Sequence, residues 1–397
     1  MKTTVIIGAG VTGLSTAYHL ARLGAGKVIV LEKDTVGAGS SSRAAGITTG
    51  LLWTETGVRV RQVATAEFRR LGRELPGYTY HDEHGCLNLF SPALWPARAA
   101  LLPLYARLGA PHQVLTAAEI GSRWPGLNPP DDFIGLHDPV GGYSEPDEYL
   151  PALAAAVRAM GVEIREHTVV HELLRRGDRI TGVRTAAETV AADAAVAANY
   201  AWVLPLLATA GITLPAKTFI HQRFVSAPLP APAALPPVNA DPYLGYLRPA
   251  AGGRLLLGIE TPATPDRRVT TADFRLTELP EPWDLVGPAV DRFADFCPAL
   301  RGLKWESARV GLLSFSLDGE PILGPVPGVE GLFVGICFHS GGFSYNPASG
   351  RFLAEYVAKG APSLDLSAFR PDRFTAADTA AYLATLLTQS QSFRRRH

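Results

Sequence analysis

The residues best suited to chemistry stand at the start of the chain. Gly8-Ala-Gly10-Val11-Thr12-Gly13 follows the short β-branched run Val5 to Ile7, and Glu32 stands 24 residues after Gly8. Gly8 permits a tight turn, Gly10 lets the backbone come close to a pyrophosphate, and Gly13 lets a helix pack closely on the preceding strand. A helix beginning at this loop offers free N–H groups and a partial positive charge to phosphate oxygens. A carboxylate at Glu32 can accept hydrogen bonds from ribose hydroxyls, and it would repel a 2′-phosphate. The chemistry implied is the binding of a dinucleotide. A second donor-rich stretch follows, with Lys33, Gly39, Ser40, Ser41, Arg43, Ala44, Ala45 and Gly46. Its N–H and hydroxyl groups can serve a further phosphate and a ring system.

These residues need a strand–turn–helix–strand unit to hold them. Val5 to Ile7 predicts a buried parallel strand. Leu14, Ala17, Tyr18 and Ala21 predict a helix that ends at Gly24, and Lys27 to Leu31 predicts a second strand that stops at Glu32. The chain of 397 residues is 47% apolar and 19% charged, enough for a core without disulfides or a structural metal. Its 37 basic and 37 acidic side chains cancel, which argues against a nucleic-acid partner. Cys86, Cys297 and Cys337 are widely spaced, so neither a disulfide framework nor a zinc motif is expected. A reduced, cytoplasmic setting is expected. His81-Asp-Glu-His84 reads as a turn, and no metal is expected. The run Val190 to Ala210 is broken by Asp193, Asn199 and Pro205, so it reads as a strand and a helix, and no membrane segment is expected. The proline-rich stretch Ala227 to Pro237 reads as a loop, and Gln389 to His397, with Arg394-Arg-Arg-His, as a solvated tail.

The early loop resembles that of the D-amino-acid oxidase superfamily of flavoenzymes, which includes glycine oxidase, sarcosine oxidase and dimethylglycine dehydrogenase. Further segments resemble the family in the right order: Gly141-Gly-Tyr-Ser-Glu-Pro146, Gly161 to Val170, Val196-Ala-Ala-Asn-Tyr-Ala-Trp202, Tyr246-Leu-Arg-Pro249, Asp318-Gly-Glu-Pro-Ile-Leu-Gly-Pro325, and Phe338-His-Ser-Gly-Gly342-Phe-Ser-Tyr-Asn-Pro347. The resemblance implies an α/β fold. A Rossmann-type, glutathione-reductase-like FAD-binding domain would be interleaved with an α+β substrate domain carrying an antiparallel sheet. The FAD-binding parts would be 1–80, 145–214 and 318–397, and the substrate parts 81–144 and 215–317.

The resemblance also assigns roles. Val170 would meet the adenine through its backbone, and Gly341, Gly342, Phe343 and Ser344 would present the start of the last helix to the flavin. FAD is expected to be non-covalent. Arg43 stands where dimethylglycine dehydrogenase has its linking histidine, and Cys337 stands where the family has glycine. The family's lysine or arginine near the last helix is replaced by Ser340 or Ser344. Arg309 is therefore expected to anchor a substrate carboxylate, with Arg248 and Arg43 as alternatives and Tyr246 as a hydrogen-bonding partner. His339 is placed in the flavin-facing loop. Leu51, Leu52, Trp53, Phe338, Phe343 and Tyr345 are expected to line an apolar cavity.

The implied activity is FAD-dependent oxidation of an amino acid or N-substituted glycine, with oxygen or another acceptor reoxidising the flavin. An N-carboxymethyl amino acid, cleaved to an amine and glyoxylate with release of hydrogen peroxide, is the expected substrate type. The alternatives are a sarcosine- or dimethylglycine-type dehydrogenase, a flavin-binding subunit of a heteromeric amine dehydrogenase, and an NAD-linked dehydrogenase on the same first unit.

Overall fold

In the computed structural model, which describes residues 2–231 and 234–392, the first apolar runs pair as expected. Thr3–Ile7 lies parallel to Lys27–Leu31 on one side and to Ala194–Ala197 on the other. Glu163–Arg165 and Leu332–Ile336 extend this sheet in parallel, and Ile322–Pro325 closes it as an antiparallel edge. Side chains alternate across it, as the period of two requires. Ile6, Val28 and Val30 face one hydrophobic cluster with Leu14, Leu153 and Leu353. Val5, Ile7, Ile29 and Leu31 face another, with Val170, Leu173 and Ile180 of a three-stranded antiparallel sheet. Both faces are thus covered, which is why these strands read as unbroken apolar runs.

The helix Val11–Arg22 packs against the last long helix, Gly342–Lys359. A Cβ at Gly350 would lie 2.3 Å from Ser15 Oγ, so only glycine lets the two helices come this close. The N-terminal loop and the C-terminal helix are thereby joined.

An eight-stranded sheet stands beside the first, in the order Trp305–Ser316, Ala216–Ser226, Arg254–Ile259, Gly245–Ala250, Val238–Ala240, Cys86–Phe90, Ile134–Asp138, Gln113–Thr116. All its neighbours are antiparallel except Val238–Ala240 against Cys86–Phe90. The helix Val286–Phe293 closes one face through Ala289 and Phe293. The chain therefore forms the expected α/β architecture, a largely parallel sheet with an antiparallel-dominated sheet beside it. Among the described residues, no helix is long and apolar enough to cross a membrane. Arg394 to His397 of the tail and Pro232 of the proline-rich stretch lie outside the described residues.

Candidate functional site

The loop between Thr3–Ile7 and Val11–Arg22 turns on Gly8, whose φ is 103°, a conformation that strains any residue with a Cβ. A Cβ at Gly13 would sit 1.9 Å from the Gly8 carbonyl oxygen, and one at Gly10 would sit 2.9 Å from Ser41 Oγ. The helix begins with no side-chain cap from Gly10 and no acid in its first turn. Ser41 Oγ accepts the Val11 N–H at 3.1 Å. Glu32 is buried, and its carboxylate accepts the Ala9 N–H at 2.8 Å and the Asp34 N–H at 3.0 Å. Burial pushes its carboxyl above the ordinary range, while these two N–H groups pull the other way.

A cleft of about 1880 Å³, counting the open solvent at its mouth, runs from this loop to the antiparallel sheet. Gly8, Gly10, Val11, Thr12, Glu32 and Lys33 line it, as do Gly39, Ser40, Ser41, Arg43, Ala44, Ala45 and Gly46. Val170, Gly342, Phe343, Ser344, Tyr246 and His339 line it as well. Gly13 lies beneath the loop, and Gly341 precedes the last helix; neither lines the cleft.

The residues fit a dinucleotide. A helix start without its own cap, a cradle closed to any Cβ, and the buried Asn199 Oδ1, which lacks a partner among the described residues, meet in one cleft. The second loop is tied down from the antiparallel sheet. Ser40 Oγ donates to the Leu312 carbonyl at 2.9 Å, Arg223 Nη1 to Ala44 O at 3.0 Å, and Arg248 Nε to Ala45 O.

On the far side, His221 Nε2 and Tyr246 Oη lie 2.9 Å apart, and Asn239, Asp241 and Glu260 line the same space. Burial raises the Tyr246 phenol well above its usual value, so it stays protonated. Tyr200, Cys337 and His339 all hold left-handed backbone, with φ of 48°, 57° and 54°. Such residues persist only where neighbours enforce them. Tyr200 Oη does so here, donating to the His339 carbonyl at 3.1 Å and accepting the Ser314 N–H at 2.9 Å. The His339 ring packs edge-on against Phe315, with Nε2 3.4 Å from Ser316 Oγ.

The three arginines named from the sequence have different settings. Arg309 is exposed and does not itself line the cleft, although Gly311, two residues on and on the same strand face, lines it beside Arg43. Arg248 is fully buried but bound by both oxygens of Glu145, at 2.7 and 2.9 Å, so its charge is already answered. Arg43 lines the cleft but spends Nη1 on the carbonyls of Ala38 and Gly39 in its own loop. The expected apolar wall also divides: Phe338 and Phe343 line the cleft, whereas Leu52, Trp53 and Tyr345 line a separate small hollow. Leu51 is buried and lines neither.

Sequence reasoning missed Arg61. It lines the cleft from the helix Glu55–Glu74, is 1% exposed, and is paired with no carboxylate among the described residues. The signal was present: Val58, Arg61, Ala64 and Phe68 form one helical stripe, and a charge on an otherwise apolar stripe is the informative exception.

A glycine-loop α/β unit whose helix start faces a cleft shared with an antiparallel sheet defines a dinucleotide-dependent oxidoreductase fold. The chain belongs to the DAO family of FAD-dependent oxidoreductases, whose sequence model matches residues 3–356. It is 30% identical over 380 residues to the 4-methylaminobutanoate oxidase (formaldehyde-forming) of Paenarthrobacter nicotinovorans, covering 94% of this chain and 45% of that protein. It is 27% identical over 399 residues to sarcosine oxidase subunit beta of Rhodobacter capsulatus, covering 96% and 91%. The chain spans about half the length of the first of these relatives. Among solved structures it is similar to L-proline dehydrogenase from P. horikoshii, with TM-score 0.84, 24% identity, and 94% and 97% of the two chains covered. It is also similar to glycine oxidase from Geobacillus kaustophilus, with TM-score 0.79, 25% identity, and 95% and 100% covered.

Proposed function

We propose that this chain binds FAD without a covalent bond and oxidises the carbon–nitrogen bond of an N-substituted amino acid. One observation carries the reading: the dinucleotide cradle and the hydrogen-bonding wall of His221, Asn239 and Tyr246 belong to a single cleft. The relatives support the amine class, since one is named for a methylaminobutanoate and another for sarcosine. We assign 1–80, 145–214 and 318–397 to holding the cofactor and 81–144 and 215–317 to the substrate side.

In this reading Gly8, Gly10, Val11 and Ser41 hold the diphosphate, Glu32 the ribose, Val170 the adenine, and Gly342 to Ser344 with His339 the flavin end. Bound FAD supplies the acceptor for a hydride from the carbon beside the amine nitrogen. The chain supplies orientation. The Tyr246–His221 pair offers a fixed hydroxyl to the substrate, and Phe338 and Phe343 keep water from the reacting carbon. The expected product set is an amine and an aldehyde or keto acid, formed when water hydrolyses the imine.

The test is an anaerobic titration of the purified yellow protein with glycine, sarcosine, 4-methylaminobutanoate, L-proline and an N-carboxymethyl β-amino acid. Loss of the visible flavin absorbance with at least one of them is expected. A protein that purifies without flavin, or whose flavin none of them reduces, overturns the reading. A second reading, a flavin chain working inside a larger assembly, is favoured by the near-complete coverage of a sarcosine oxidase subunit. It predicts that a second chain co-purifies.

A further inference from the structure

An arginine sealed from water without a counter-ion is expensive to keep. Arg61 is 1% exposed, and its Nε and Nη2 have no hydrogen-bond partner among the described residues. Its guanidinium lies over the Tyr345 ring, 4.1 Å from the centroid, and hydrogen-bonds with the Tyr345 side chain, while the Nε–Nη2 edge is left unused. That edge matters, because the N–H groups of Nε and Nη2 project side by side and match the two oxygens of a carboxylate. Of the other arginines nearby, Arg248 is held by Glu145 and Arg43 by carbonyls of its own loop, while Arg223, which gives Nη1 to Ala44 O and keeps Nε unpartnered, does not line the cleft.

We infer that Arg61 receives the carboxylate of the substrate through its Nε–Nη2 edge. The inference rests on the amine-oxidation reading for the identity of the anion. It also accounts for Ser344. The last helix carries no cation there, and the Ser344 hydroxyl is spent on the Ile47 carbonyl at 2.7 Å. The neighbouring residue, Tyr345, instead carries the guanidinium of Arg61, which comes from a different helix.

The experiment uses FAD-loaded wild type, Arg61→Lys, Arg61→Gln and Arg61→Met. Each is titrated with propionate, and with propanamide as the uncharged control, while the visible flavin spectrum and the thermal midpoint are followed. Wild type should bind propionate saturably. Arg61→Gln should lose at least about tenfold in affinity, the factor of one charge-assisted hydrogen bond. Arg61→Lys should fall between, and propanamide should be indifferent. With the best amine acid, Arg61→Gln should raise KM far more than it lowers kcat. Arg61→Met should leave the ligand-free midpoint equal or higher, since it removes an unanswered buried charge. Unchanged propionate affinity in Arg61→Gln overturns the inference. So does loss of FAD in these variants, which would make the anion the cofactor's, or failure of Arg61→Met to fold, which would make Arg61 structural. If no amine reduces the flavin yet propionate binding depends on Arg61, the functional reading falls and the anchor stands. If amines reduce it and neither KM nor propionate responds to Arg61, the reverse holds.

Discussion

Glu145→Gln should destabilise the protein and loosen its hold on FAD together. Arg248 has no exposure, and Glu145 meets it with both oxygens, at 2.7 and 2.9 Å, while also accepting the Ala251 N–H at 2.8 Å. Glutamine removes the charge and turns one acceptor into a donor facing the guanidinium. Breaking a buried pair by removing one partner costs about 3–5 kcal/mol, a large part of the ~5–15 kcal/mol that holds a typical fold. The same arginine donates Nε to Ala45 O in the flavin-side loop, so a displaced Arg248 frees that loop. The pH dependence has a definite sign. Burial pushes the Glu145 carboxyl up, but Arg248 and the Ala251 N–H outweigh it and hold the carboxyl below its ordinary value. The stabilisation is therefore complete above the ordinary carboxylate pKa and is lost as pH falls through the lower, folded value. Urea unfolding at pH 7, with release of flavin fluorescence followed in parallel, measures both effects. Glu145→Leu combined with Arg248→Met should cost less than either single change, because no charge is left stranded. A Glu145→Gln protein within about 0.5 kcal/mol of wild type, or a double variant that costs as much as either single change, refutes the reasoning.

Gly13→Ala places a methyl group 1.9 Å from a backbone oxygen, so the first helix must lift from its strand. A loss of about 1–3 kcal/mol and a largely flavin-free protein are expected, checked by the thermal midpoint and the ratio of visible to ultraviolet absorbance. Acid precipitation should leave a colourless pellet and a yellow supernatant. Cys337 is a buried thiol pushed up to about 12 by its burial, and Arg43 is no nucleophile, so no attachment point presents itself at either. Burial raises the Asp318 carboxyl, but Arg373, at 2.8 and 3.0 Å, holds it below its usual value. Arg373→Gln should lower the midpoint at pH 7, with the gap to wild type closing as pH drops below the ordinary carboxylate range.

The glycine loop was legible because most of its demands are local: Gly8 answers to a backbone angle and Gly13 to the Gly8 carbonyl, while Gly10 answers to Ser41, 31 residues on. The arginines were not, because what each does depends on a partner remote in sequence. Arg248 looks like an anchor until Glu145, 103 residues away, is found to hold it. Arg59 and Arg61 look alike in Val58-Arg-Val-Arg61, yet two helical steps turn them about 200° apart. One faces solvent and pairs with Glu55, and the other points inward. Strand alternation alone does not decide Arg309, since Gly311 on the same strand face lines the cleft while Arg309 is exposed.

The pairing of the first helix with the last has a consequence for how the protein is made. Gly8 to Gly13 are synthesised some 300 residues before the strand Leu332–Ile336 and the residues Phe338 to Ser344 that complete the cleft. At about 5–20 residues per second, roughly 15–70 s pass with the glycine loop made and its counterpart still unwritten. Through that interval Ser15 has no Gly350 to close upon, and the side of the first helix that meets the last helix has no cover. In the proposed reading FAD meets its full cradle only once Phe338 to Ser344 have been made, so the two walls of the cleft cannot close on it in a simple N-to-C order.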